Sequence, residues 1–174
     1  MTTRVMLDIE TLGIDPGAAI LSIGAVTFDA DGPTDRTFHE SVDVESCQTY
    51  GLEIDAGTLT WWLAQDDAAR AVLDGGDDLS EVLKALTAWW PDDAEVWANS
   101  PAFDCSHLES AYAAVGLEPP WQYYETRDCR TLLNLPVAPA LEQEGVEHHA
   151  LDDAKHQARA VGETLRRIKR GETA

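Results

Sequence analysis

Lysine is scarce in this sequence. Only Lys84, Lys155 and Lys169 occur, and twelve cations in all face thirty-two Asp and Glu, for a net charge of −20 over 174 residues. Such a balance is unhelpful for gathering polyanions by charge alone. Two readings of the acidity stand side by side. One is adaptation to a high-salt cytoplasm, where the Debye length shrinks to ~3 Å at 1 M and self-repulsion is screened. The other is the plain acidity common among cytoplasmic proteins. Cysteine is nearly as rare: Cys47, Cys105 and Cys129 are odd in number, widely spaced and form no C-x-x-C pair. A disulfide framework and a zinc site are thereby disfavoured, and a reducing cytoplasm fits.

Long apolar runs are absent too. None approaches the ~20 residues a membrane-spanning helix needs. The first residues read as a strand, Val5-Met6-Leu7 running straight into Asp8, and not as the apolar stretch of a signal peptide. With 44% hydrophobic and 25% charged residues, the chain falls in the range of folded globular proteins. Neither a repeat nor a linker interrupts it, so one domain over residues 1–174 is expected.

What is present is an ordered alternation of elements. Val5 to Ile9 places Leu7 and Ile9 on one face of a strand and Asp8 and Glu10 on the other. Ile20 to Phe28 reads as a second strand, and turn formers from Asp29 to Pro33 lead to a return strand over Arg36–Val42. Helical spacing then runs from Thr58 to Leu73 and from Leu79 to Trp90. A strand at Glu95–Ala98, a helix at Phe103–Val115, a strand at Gln122–Glu125 and a short helix at Arg127–Leu135 follow. Ala150 to Lys169 forms the last helix. A three-strand meander followed by alternating helix and strand predicts an α/β fold, a mixed sheet flanked by helices.

Four acids have positions that ordinary surface residues do not need. Asp8 and Glu10, two apart on an apolar strand, leave the same face roughly 6–7 Å apart. Asp104 shares a helical stripe with Leu108, Ala111 and Val115, and a carboxylate facing a core is costly unless paired or metal-bound. Its place near a helix start also suits an N-cap. In the last helix, Leu151, Ala154, Ala158, Val161, Leu165 and Ile168 define the buried face. Asp152 points about 150° from its centre and Asp153 about 110°, so Asp153 borders the core and Asp152 faces solvent. His148 and His149 precede this helix in a loop, where an imidazole can reach over a site. Hard carboxylate oxygens favour Mg²⁺ or Mn²⁺ over zinc.

Taken in order, Asp8-Ile9-Glu10-Thr11, Asn99-Ser100-Pro101-Ala102-Phe103-Asp104 and His148-His149-Ala150-Leu151-Asp152-Asp153 resemble the three motifs of the DEDDh 3′–5′ exonuclease superfamily. That superfamily includes ribonuclease T-like and proofreading exonucleases. Thr58-Leu59-Thr60-Trp61-Trp62 and Arg127-Asp128-Cys129-Arg130 are similar to segments of a phage-type subgroup of small stand-alone exonucleases. The motif spacing pairs His148, five residues ahead, with Asp153. The resemblance implies a ribonuclease H-like fold with a five-stranded mixed sheet and a prokaryotic or virus-encoded protein. It also implies two divalent ions, Mg²⁺ or Mn²⁺, held by Asp8, Glu10, Asp104 and Asp153, with His148 as general base. Nucleoside 5′-monophosphates would be released from single-stranded or 3′-overhanging DNA or RNA, and some relatives form homodimers.

By the same resemblance Thr11 and Leu12 meet the terminal nucleotide. Phe103 either stacks on a base, worth about 1–3 kcal/mol, or packs in the core. Trp61 and Trp62 point about 100° apart, one into the core and one toward the cleft. Six of the twelve cations, Lys155, Arg159, Arg166, Arg167, Lys169 and Arg170, crowd the last helix, where the helix dipole favours them. The rival reading is a catalytically silent nucleic-acid-binding module with the same fold.

Overall fold

A computed structural model describes residues 3–172; the outermost two residues at each end of the expected domain lie outside it. Five strands form one mixed sheet. β1 (Arg4–Thr11), β2 (Ile20–Asp29) and β3 (Gly32–Ser41) make an antiparallel meander. β4 (Glu95–Ala98) then lies parallel to β1, and β5 (Thr126–Asp128) parallel to β4. The spatial order β3-β2-β1-β4-β5 puts β1 in the centre. Seven helices accompany the sheet among the described residues: α1 (Val44–Thr49), α2 (Ala56–Leu63), α3 (Asp67–Arg70), α4 (Leu79–Trp89), α5 (Asp104–Ala114), α6 (Cys129–Leu133) and α7 (Ala150–Lys169). None is long and apolar enough to cross a membrane.

The alternation of β1 divides the molecule. Val5, Leu7 and Ile9 enter the larger core, against Trp62 of α2, Leu83 and Leu86 of α4, and Leu108 and Tyr112 of α5. Met6 enters a smaller core on the other face, with Val26, Phe28, Trp97, Cys129 and the small residues Ala154, Ala158 and Val161 of α7. Trp62 is 1% exposed, and its indole N–H donates to the Thr11 carbonyl at 2.9 Å. Burying an indole of 150–250 Å² stabilises the fold by up to about 4–6 kcal/mol and ties α2 to the end of β1.

Small residues let α7 lie close to the sheet. Gly24 pairs with Asp8 across β1 and β2. A Cβ there would sit 2.2 Å from the Ala150 carbonyl carbon and 2.3 Å from the Leu151 nitrogen. Only a residue without Cβ permits that approach, and through it the first turn of α7 reaches the acidic end of β1.

Several local expectations need correction. The helix expected over Thr58–Leu73 is broken after Leu63, because Asp66 caps a fresh start by accepting from the Ala69 N–H at 2.9 Å. The strand expected over Gln122–Glu125 is instead a capped turn at Tyr123–Glu125, with the strand displaced to Thr126–Asp128. The helix after it spans Cys129–Leu133 and not Arg127–Leu135. β3 begins at Gly32, ahead of Arg36, and the short α1 was not anticipated.

Candidate active site

β1 delivers Asp8 and Glu10 from the α7 face of the sheet, both half-buried. α5 delivers Asp104 as its first residue, 5% exposed. Phe103 holds the N-cap position of α5, so the N-cap alternative falls away, and the Asp104 carboxylate is buried. The approach to α5 passes through Ser100, held at φ 127°, a sparsely populated conformation that turns the chain between β4 and α5. α7 delivers Asp153 from its first turn. These four acids and His148 line one cleft of about 550 Å³. Ligand atoms of Glu10, His148 and Asp153 lie within 4.8 Å of one another.

The two histidines divide their tasks. His149 is the N-cap of α7: its Nδ1 accepts from the Asp152 N–H at 3.3 Å, and its ring lies 4.3 Å from that of His39, outside the acidic cleft. His148 takes a left-handed backbone, φ 60°, which turns its ring toward the tryptophan pair. The ring stands edge-on to Trp61 at 4.9 Å and to Trp62 at 6.0 Å. Asp152 is turned away, accepting from the Val146 N–H at 3.1 Å.

The acids repel one another. Burial, then the charges of Asp104 and Glu10, raise the Asp8 carboxyl well above its ordinary range, although Gln157 opposes the shift. Burial followed by the Asp153 and Asp104 charges pushes Glu10 up to about 8. Burial raises Asp104 to about 7 against the pull of backbone N–H groups and Arg130. Asp153 is raised by burial, with Gln143 and His148 opposing. Among the described residues none of the four forms an ion pair. Clustered, enclosed carboxylates without a cation partner are the donor set a hard divalent ion fits.

This gives a pH dependence with a definite sign. A carboxylate whose folded pKa lies above its unfolded value stabilises the fold below the unfolded value. That contribution is lost as pH rises through the folded one. In EDTA the melting temperature is expected to fall between pH 5 and pH 8. The stability lost is a few kcal/mol, since each tenfold gain in a carboxyl's proton affinity is worth about 1.4 kcal/mol. Mn²⁺ should restore more stability at pH 8 than at pH 5. Differential scanning calorimetry of the parent and Glu10→Gln checks this; an unchanged pH slope in the variant would show that the cluster is not its source.

Two supporting residues carried no sequence signal strong enough to single them out. Gln157, one turn beyond Asp153 in α7, donates from Nε2 to Asp8 Oδ1 at 2.8 Å. Gln143, in the acidic loop before α7, donates to Asp153 Oδ1. A second cleft of about 400 Å³ shares Ile9, Glu10 and Phe103 with the first and adds Thr11, Trp61 and Trp62. Trp61 is 44% exposed, so the pair divides between core and cleft. Phe103 stands at the junction of the two clefts, and its ring is 4.2 Å from that of His107. Leu12 needs correction: it is 2% exposed in the larger core. Its N–H donates to Ala19 and its carbonyl accepts from Asp55, and its buried side chain leaves a nucleotide almost no surface to meet.

The five-stranded mixed sheet with its flanking helices is a ribonuclease H-like fold, and its central strand carries Asp8 and Glu10 into the acidic cleft. Residues 3–165 match the Rv2179c-like 3′–5′ exoribonuclease domain, and the chain belongs to that family of 3′–5′ exonucleases. The fold is similar to the nuclease domain of 3′hExo, a DEDDh family member solved bound to rAMP. The TM-score is 0.64 at 16% identity, over 97% of this chain and 92% of that one. It is also similar to the zinc-bound complex of E. coli exonuclease I with single-stranded DNA, with a TM-score of 0.70 at 12% identity over 99% of this chain. The chain spans only 42% of that enzyme's length. Comparison with curated protein sequences found no match.

Proposed function

We propose that the protein removes nucleotides one at a time from the 3′ end of single-stranded RNA, releasing nucleoside 5′-monophosphates with two divalent ions, Mg²⁺ or Mn²⁺. One observation carries the reading: four unpaired carboxylates and one imidazole converge on a cleft that opens into a second, aromatic-walled one. Asp8, Glu10, Asp104 and Asp153 would hold the ions. When bound, the ions neutralise charge on the phosphodiester and acidify water. His148 accepts a proton from the attacking water. Imidazole is the side chain most often used as a general base, and Trp61 and Trp62 stand edge-on against its ring. Phe103 and Trp61 supply apolar faces for the terminal base, and Thr11 borders the same space. RNA is favoured by the family's exoribonuclease description; 3′hExo was solved with a ribonucleotide. All five groups come from one chain.

The test is a panel of 5′-labelled single- and double-stranded RNA and DNA, with free or blocked 3′ ends, in Mg²⁺, Mn²⁺ or EDTA. Stepwise shortening of free-ended RNA is expected, with none in EDTA. His148→Ala should lower the rate about 10²- to 10⁴-fold, as loss of a general base does. No cleavage of any substrate would leave a binding module; cleavage of circular strands would exclude a strict exonuclease.

A further inference from the structure

The acidic cleft has one arginine or lysine in its lining, Arg130. Most other cations are occupied elsewhere. Arg127 pairs with Glu95, Arg159 with Glu144, Arg166 and Arg167 with Glu163, and Arg170 with Glu172. The cation-rich last helix is therefore largely engaged by its own neighbours. Among the described residues no carboxylate lies within 4.0 Å of the Arg130 guanidinium nitrogens.

Arg130 is nevertheless anchored. Its backbone N–H donates to the Asp128 carboxylate at 2.9 Å, at the start of α6. The preceding Cys129 is buried, with its sulfur 3.3 Å from that of Met6 in β1. The guanidinium donates through Nε to Asn99 Oδ1 at 3.4 Å. A planar guanidinium tethered at Nε keeps its terminal amino groups for a bidentate partner, and phosphate matches that geometry.

The clefts give the strand a direction. They meet at Ile9, Glu10 and Phe103, whereas Arg130 lines the acidic cleft alone. With the terminal nucleoside in the aromatic-walled cleft and the terminal phosphodiester at Glu10, the rest of the strand continues into the acidic cleft. We propose that Arg130, oriented by Asn99, binds the first phosphate upstream of the bond that is cut, the one on the 5′ side of the penultimate nucleotide. The inference rests on the exonuclease reading and adds a length rule: the shortest good substrate carries that phosphate.

Two ribodinucleotides separate the possibilities, NpN with the scissile phosphate alone and pNpN with the upstream phosphate added. The parent should prefer pNpN by about 10- to 100-fold in kcat/KM, expressed in KM, the range for a hydrogen-bonded charge. Arg130→Ala should collapse that preference, and Arg130→Lys should recover part of it. The log K against log salt slope for longer RNA should become shallower by about 0.7. Equal losses on both dinucleotides would overturn the assignment in favour of the scissile phosphate. No loss on either, or a weakened Mn²⁺-induced thermal shift in Arg130→Ala, would overturn it in favour of a role through Asp104. Calorimetric binding of both dinucleotides in Ca²⁺ reads the same preference without turnover. If the parent cuts no RNA, the exonuclease reading fails while this measurement still decides the phosphate contact.

Discussion

Asp8→Asn is expected to fold, to melt at a higher temperature than the parent in EDTA at pH 8, and to release mononucleotides at least about 10³-fold more slowly. The substitution conserves shape, and an Asn oxygen can still accept from Gln157, so the packing of β1 against α7 is kept. What it removes is charge. Asp8 is raised by burial and by its three acidic neighbours, so in the metal-free protein its ionisation opposes folding, and the amide relieves that strain. The same charge is what a divalent ion needs, and losing one preorganised electrostatic group at a reacting centre costs 10²- to 10³-fold or more. Melting curves with and without Mn²⁺ and a single-turnover assay read both halves. A rate within tenfold of the parent would remove Asp8 from the centre of the site.

Gly24→Ala is the second large effect, and it acts without touching chemistry. The new methyl would meet the backbone of Ala150 and Leu151 at 2.2–2.5 Å. Backbone in a helix cannot step aside as a flexible side chain can. Overpacking of this kind costs about 1–3 kcal/mol, a fall in Tm of up to about 10 °C in a chain of this size. The activity loss should be larger than the stability loss implies. The displaced first turn of α7 carries Asp153, and His148 stands just ahead of it; a shift near 1 Å can cost about 10²-fold. A variant melting within 1 °C of the parent with at least half its activity would show that the helix does not depend on this contact.

The parts legible in the sequence are those where periodicity and chemistry agree. β1 alternates cleanly because one face enters the larger core and the other carries Asp8 and Glu10. α7 shows its apolar stripe at helical spacing, and that pattern, with the motif spacing, separates Asp153 from Asp152. Tyr123 and Tyr124 mislead for the opposite reason. Their β-propensity suggests a strand, yet they are 83% and 62% exposed in a turn. The true strand, Thr126–Asp128, is three residues long and depends on its parallel partner β4. Tertiary pairing outweighs local preference at that length. The break at Asp66 and the short α1 are hidden because each rests on one capping aspartate, Asp66 or Asp43. Residue type does not separate His148 from His149; only the motif spacing does so in the sequence, and the cap and the positive φ that distinguish them are properties of the folded loop.

Gln157 and Asp8 are in contact although 149 residues separate them. A chain is made from its amino end and folds in that order where it can. The first strand therefore exists long before the helix that completes its cleft. Until α7 docks, Asp8 and Glu10 stand at the end of a strand without Asp153, His148 or Gln157. A copy still lacking that helix is without Asp153 and Gln157 and so without part of the acidic cleft. On the proposed reading the chain is thus born silent, and its nuclease activity is expected to begin only once α7 has been made and has docked on the sheet.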